Sequence, residues 1–173
     1  MLILRRRWEY WIAAVALHKI GAILIPGNLQ LAKKDLIYRA NAAQISMMVC
    51  IDDDYVIEQV EGAMKESPSI KCCAVAGGKR PGWLTFDEEI AKYPTEFDRP
   101  TGEEANDNDD IMLIYFTSGT TSMPKMVQHN FIHPLGHIVT AKYWQRVQEN
   151  KLHMSVSDSG WAKFGWGKIY GQW

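Results

Sequence analysis

The sequence predicts an α/β fold built on a mostly parallel sheet with flanking helices. Three observations carry that prediction. Short apolar runs of strand length alternate with segments whose apolar residues recur at helical spacing. The runs, such as Ile111-Met112-Leu113-Ile114-Tyr115-Phe116, are near-continuous rather than alternating, as in strands covered on both faces. The composition is that of a globular chain, 47% hydrophobic and 23% charged, and 173 residues are enough to bury a sizeable core.

Taken in order, Met1 to Leu4 reads as a strand. Trp8 to Ile20 reads as a helix, because Trp8, Trp11, Ile12, Val15 and Lys19 keep i, i+3, i+4, i+7 spacing. Gly21 fits the left-handed position just past its end. Ala22 to Ile25 is a second strand, stopped by Pro26-Gly27. Lys34 to Gln44 is a helix and Ser46 to Ile51 a strand. Asp53 to Glu66 is a helix that opens on acidic residues, where the helix dipole favours them. Lys71 to Ala76 is a strand, followed by the turn-rich Gly77-Gly78-Lys79-Arg80-Pro81-Gly82. Thr85-Phe86-Asp87-Glu88 matches a capping box and starts a short helix to Tyr93. Residues 94–110 have few apolar side chains and an acidic run, Glu103-Glu104 to Asp109-Asp110, and read as a solvated connection without a function of its own. After the strand Ile111–Phe116, His133 to Gln148 is helical, Leu152 to Val156 a short strand, and the aromatic-rich tail from Ser157 begins a helix. There is no internal repeat and no low-complexity tract.

The totals exclude several classes. A formal net charge of −1 gives no general attraction to nucleic acid or to an anionic membrane. No apolar run approaches the ~18 residues of a membrane-spanning helix. Arg5-Arg6-Arg7 before an apolar stretch is not a signal peptide: Met1-Leu2-Ile3-Leu4 precedes it, Glu9 interrupts the stretch, and no small-residue cleavage site follows. Cys50, Cys72 and Cys73 are odd in number and lie in strand-like runs, which predicts free thiols in a reducing compartment rather than a disulfide framework or a metal site. Nothing in the totals sets an oligomeric state.

The strand Ile111–Phe116 opens into Thr117-Ser118-Gly119-Thr120-Thr121-Ser122-Met123-Pro124-Lys125. Gly119 allows close backbone approach to an anion, the hydroxyls and loop N–H groups can donate to phosphate oxygens, and Lys125 adds a point charge. The G-x-x-x-x-G-K-[ST] spacing of the usual nucleotide loop is absent. By themselves these residues leave two readings open, a hydroxyl-rich turn and a phosphate cradle. Ligands of parallel sheets gather at the carboxyl ends of strands. Pro26-Gly27-Asn28-Leu29-Gln30 and Ser157-Asp158-Ser159-Gly160-Trp161 are predicted to lie in such places too.

T-S-G-T-T-S-M-P-K resembles the phosphate-binding loop of the acyl-adenylate-forming superfamily, whose pattern is close to [ST]-S-G-[ST]-[ST]-G-x-P-K. Met126, the segment Ser157-Asp158-Ser159-Gly160-Trp161-Ala162-Lys163 and Trp166-Gly167-Lys168-Ile169-Tyr170-Gly171-Gln172-Trp173 resemble its medium-chain acyl-CoA synthetase branch. Nearly the whole chain can be laid along that family. The resemblance implies a two-step ligase. A carboxylate attacks the α-phosphate of ATP, with Mg2+, to give acyl-adenylate and pyrophosphate; the thiol of coenzyme A then displaces AMP.

On that resemblance Thr117, Ser118, Gly119, Thr120, Thr121, Ser122, Met123, Pro124 and Lys125 bind the β- and γ-phosphates of ATP. Gln30 matches a residue that reaches coenzyme A, against a plain strand-ending turn. Trp161 matches a tryptophan bordering the acyl pocket, against an ordinary core aromatic. No residue inherits a catalytic or metal-ligating role. His129, His137 and His153 are read as structural histidines. The family has glycine where this chain has Ser122, which costs roughly 1 kcal/mol if that position needs positive φ. The chain matches only part of the large N-terminal domain; the Thr-Glu motif, the ribose-binding aspartate, the hinge and the C-terminal domain with its catalytic lysine are absent. A fragment with little activity of its own is therefore expected, with apolar surface exposed around Trp161, Phe164, Trp166 and Trp173. The alternatives are an inactive nucleotide- or coenzyme A-binding remnant and, with little support, a phosphotransferase. The family suits a bacterial cytoplasm or a mitochondrial matrix.

Overall fold

The computed structural model describes residues 1–118 and 123–172. Four parallel strands are hydrogen-bonded in the order β1 (Leu2–Ile3), β2 (Met47–Ile51), β3 (Cys72–Ala76) and β4 (Leu84–Thr85). β5 (Ile111–Thr117) pairs antiparallel with β6 (Lys125–Asn130). The expected strand at 22–25 joins the two sheets through parallel bridges, Leu24 to Leu113 and Pro26 to Leu2. Leu24 N donates to Met112 O and Ile114 N to Leu24 O, both at 2.9 Å. On the other side Leu2 N donates to Ile25 O at 2.9 Å and Gly27 N to Leu2 O at 2.8 Å. The ladder thus runs continuously from β4 to β5, parallel throughout, and β6 adds an antiparallel edge.

Strand side chains alternate between two cores, as the pleat requires. Ile3, Met48, Cys50, Cys73, Val75 and Ile114 face α2 (Lys33–Ala42) and α3 (Asp54–Met64), meeting Leu36, Ala40, Val56, Ile57 and Val60. Leu2, Leu4, Val49, Ala74, Leu113 and Tyr115 face the other way, against Tyr10, Ala13 and Ala14 of α1 (Trp8–Lys19) and against Phe164 and Ile169 from the tail. The layers are helix, sheet, helix. Asp53 caps α3, its Oδ1 accepting from Tyr55 N at 3.1 Å and Val56 N at 3.3 Å. Gly21, at φ +71, ends α1: Ala22 N reaches Leu17 O and Gly21 N reaches His18 O, the paired bonds of a Schellman motif. The thiols are free, and burial raises that of Cys73 to about 11.

Several expectations are corrected. The buried side of α1 is not the Trp8–Ile12–Val15 row, which is exposed; it is Glu9, Tyr10, Ala13 and Ala14. Small alanines let the helix sit close to the sheet, and fully buried Glu9 is tolerated because Arg7 hydrogen-bonds it with Nε at 3.0 Å. The capping box at Thr85 is not closed: Thr85 stands at the N-cap of α4 (Phe86–Ile90) without a capping bond, and the Glu88 carboxylate pairs with Lys79. The expected strand at 152–156 is irregular chain, with Leu152, Met154 and Val156 exposed. The helix expected over 133–148 is α5 (His133–Val139) continued by a π-turn over Thr140–Trp144. In the tail, α6 (Ala162–Phe164), a π-turn (Gly165–Ile169) and α7 (Tyr170–Gln172) replace a single helix, and Phe164 is buried rather than exposed, packed on Tyr10 and Trp11. Trp166 is half-buried against Trp144, and Trp173 lies outside the described residues.

Candidate functional site

Because the strands run parallel from β5 through 24–26 to β1, their carboxyl ends meet on one edge. The chain leaves the sheet at Pro26-Gly27, where Pro has no N–H to continue a ladder, and Asn28 then organises a turn by accepting from Gln30 N at 2.8 Å. At the end of β1, the Leu4 carbonyl accepts from the buried Ser159 hydroxyl, which pins residues 158–161 against the same edge. Asp158 accepts from Gly160 N at 2.9 Å, and Gly160 lies directly on the backbone of Gly27 and Asn28.

Between these loops and the end of β5 opens a cleft of about 240 Å³, lined by residues that include Asn28, Gln30, Arg39, Phe116 and Trp161. The structure therefore brings two of the predicted residues, Gln30 and Trp161, to one cavity. Gln30 is exposed, and Trp161 is 61% exposed, a wall of the cleft rather than a core aromatic. Phe116, on the floor, is the residue immediately before the hydroxyl-rich loop. Thr117 and Ser118 leave β5 exposed to solvent, Thr117 lies opposite Lys125 in the β5–β6 register, and Lys125 is exposed as well. Met123 and Pro124 complete the described part of the loop; Gly119, Thr120, Thr121 and Ser122 lie outside the described residues.

Side chains from α2 join the cleft to the loop. Tyr38 Oη donates to Pro124 O at 2.9 Å, and its ring meets Phe116 edge-on with centroids 6.2 Å apart. The Arg39 guanidinium sits 5.1 Å over the Phe116 ring, and Nη1 donates to Asp35 O at 3.3 Å. Burial lowers the pKa of Arg39, with Asp35 and Tyr38 opposing. A guanidinium remains charged at any physiological pH, so the cleft holds a fixed positive charge above an aromatic floor. Arg39 and Tyr38 were not legible as site residues, since only the tertiary fold carries Tyr38-Arg39 to this edge; Asn28 lies in the 26–30 loop that the sequence placed at a strand end.

The histidines lie elsewhere. His129 and His137 share a stack of rings with His133, and burial lowers the pKa of all three, that of His133 to about 4. The His153 carbonyl accepts from Lys168 Nζ at 3.1 Å. None of them borders the cleft. Among the described residues no group of three or more His, Cys, Asp or Glu side chains is placed to hold a metal ion, and no helix is long and apolar enough to cross a membrane.

A parallel α/β sheet with its cleft at the carboxyl edge has the ligand-binding layout of the open α/β folds. The chain belongs to the AMP-binding enzyme family, whose model matches residues 1–165. It is similar to mitochondrial acyl-coenzyme A synthetase ACSM5 of Homo sapiens, with 34% identity over the whole chain, and to mitochondrial acyl-coenzyme A synthetase ACSM3 of Mus musculus, with 33%. In each case it spans 29% of the relative's length. Its fold is shared with the crystal structure of the anthranilate CoA ligase AuaEII in complex with anthranoyl-AMP, with a TM-score of 0.74 and 20% identity, over 99% of this chain and 33% of that one.

Proposed function

We propose that this chain is the phosphate-loop portion of an AMP-forming acyl-CoA synthetase acting on a medium-chain fatty acid or a similar carboxylic acid. The observation that carries the reading is the meeting, at one sheet edge, of the 26–30 loop, the 158–161 loop and the mouth of the β5–β6 hairpin. Thr117 to Lys125 would hold the β- and γ-phosphates of ATP, through hydroxyl and backbone donors and the Lys125 charge. Trp161 would border the acyl group, and Gln30 would lie on the path of coenzyme A. The acid's carboxylate oxygen forms a bond to the α-phosphorus as pyrophosphate leaves. The coenzyme A sulfur then bonds to the acyl carbon as AMP leaves. Positioned donors that meet charge developing on the phosphates are the main catalytic device here. Mg2+ would neutralise the phosphates; among the described residues no group of three or more His, Cys, Asp or Glu side chains is placed to hold it. The relatives' names place those enzymes in mitochondria, and the matrix is the location this reading takes in preference to the cytoplasm.

The test uses the enzyme-length protein that carries this segment. Lys125→Ala removes a donor to a charged group, an interaction worth ~1.5–3 kcal/mol. ATP–pyrophosphate exchange should fall roughly 10- to 100-fold. Capture of synthetic acyl-adenylate by coenzyme A, which no longer involves those phosphates, should change far less. Equal losses in the two half-reactions would remove the loop from pyrophosphate binding.

A further inference from the structure

Beyond β6 stands a row of histidines that the proposed reaction does not use. His129 lies near the end of β6, His133 opens α5, and His137 follows one turn later. The rings follow one another, with centroids 4.0 Å apart for His129 and His133 and 4.5 Å for His133 and His137. Residues four apart share a helix face, and here Nε2 of His133 faces Nε2 of His137 at 3.1 Å.

One placement of the ring protons satisfies all of these hydrogen bonds. The Thr140 hydroxyl donates to His137 O at 3.0 Å, which leaves its oxygen to accept from His137 Nδ1–H at 3.1 Å. His137 therefore keeps its proton on Nδ1 and points the Nε2 lone pair at His133, whose Nε2–H donates into it. A fixed oxygen bonded to the far ring nitrogen is the arrangement that orients histidines on metals. Two imidazole nitrogens each ~2.0–2.1 Å from a tetrahedral zinc ion stand roughly 3.3 Å apart, within a few tenths of an ångström of the spacing seen here. The rings are also held from outside: Trp166 stacks on His137 at 5.7 Å, and Tyr170 meets His133 edge-on at 5.4 Å.

We propose that His133 and His137 are a two-histidine chelate for a divalent transition-metal ion, Zn2+ or Cu2+, with water filling the remaining positions. On binding, neutral His133 moves its ring proton from Nε2 to Nδ1 through solvent, so both Nε2 lone pairs reach the metal and no net proton is released. The described residues supply no third ligand of the His, Cys, Asp or Glu type, so the site is a clip across one turn rather than a closed structural centre. It spans Gly136 and abuts the π-turn at Thr140–Trp144.

The test is calorimetric titration of the 173-residue chain with Zn2+, with circular dichroism to establish that each variant folds. A single class of site is expected in the wild type. His133→Gln and His137→Gln should each weaken it roughly tenfold or more, and Thr140→Val, which keeps both ligands, should weaken it about tenfold. His153→Gln and Cys72→Ser should leave it unchanged. With Cu2+, electron paramagnetic resonance should show two imidazole nitrogens in the wild type and one in either ligand variant. The proposal is overturned by the absence of saturable binding, by binding that survives His133→Gln or His137→Gln, or by binding lost with Cys72→Ser.

Discussion

Gly160→Ala tests whether the cleft is built by direct contact of its two loops. A Cβ at position 160 would fall 2.6 Å from Asn28 Cα and Asn28 N and 2.7 Å from Gly27 C. These are backbone atoms, which cannot swing aside as a side-chain tip can. Ordinary contact begins at 3.4 Å, so the loops must separate by about 0.8 Å, the difference between 3.4 and 2.6. Overpacking of this kind costs about 1–3 kcal/mol, and in a chain of this size each kcal/mol lowers Tm by about 2–4 °C. Gly136→Ala is the matched control. Nothing lies within 4 Å of its added Cβ, and the position is inside α5, so replacing glycine there should stabilise by about 0.8–1 kcal/mol. Urea unfolding of both variants, followed by circular dichroism, should separate them by roughly 2–4 kcal/mol. Amide exchange in Gly160→Ala should quicken at Gln30 and at position 160, whose N–H groups are held within the two loops. If the two variants unfold alike, or exchange in the cleft loops is unchanged, the loops do not bear on each other and the cleft geometry is wrong.

Two further perturbations follow from buried groups. Arg7→Met leaves the Glu9 carboxylate buried without its guanidinium, at a cost of about 3–5 kcal/mol; the double variant Arg7→Met/Glu9→Leu should recover most of that loss, and equal destabilisation in both would contradict the pairing. Burial pushes His18 down to about 4, and its Nδ1 has no hydrogen-bond partner. The unfolded ring binds a proton near pH 6.5 while the folded ring does not, so stability present above that pH is lost as pH falls towards 4, by up to about 1.4 kcal/mol per pH unit. His18→Gln should flatten this part of the stability profile, and an unchanged slope would refute the assignment.

The parts of the fold legible in sequence were those with a local cause. Near-continuous apolar runs marked β1, β2, β3 and β5, and Pro26-Gly27 marked where 24–26 leaves the sheet. β6 carries no strand signal in sequence, because Lys125-Met126-Val127-Gln128-His129-Asn130 is polar and lies exposed or half-buried on an edge; only its pairing with β5 makes it a strand. Leu152, Met154 and Val156 erred in the opposite sense, alternating like a strand with no neighbour to pair with. The buried face of α1 does not follow bulk: the close contact is made by Ala13 and Ala14, while Trp8 stays half exposed. For the site, resemblance supplied Gln30 and Trp161, but not Arg39, whose place over Phe116 depends on how α2 packs.

The position of the cleft follows from strand direction and from missing side chains. Parallel strands deliver the ends of β1, 24–26 and β5 to one edge, but three chain ends at strand spacing leave little room for loops to cross. Gly27 relieves the first crossing: a Cβ there would meet Ile3 Cγ1 at 2.8 Å. Gly160 relieves the second, directly above it, by letting 158–161 rest on the Gly27–Asn28 backbone. With both crossings made without side chains, the Ser159 hydroxyl reaches Leu4 O and Trp161 is turned outward beside Gln30. The cleft is therefore the space left when two loops are stacked on a strand end, and its two walls cannot be moved independently.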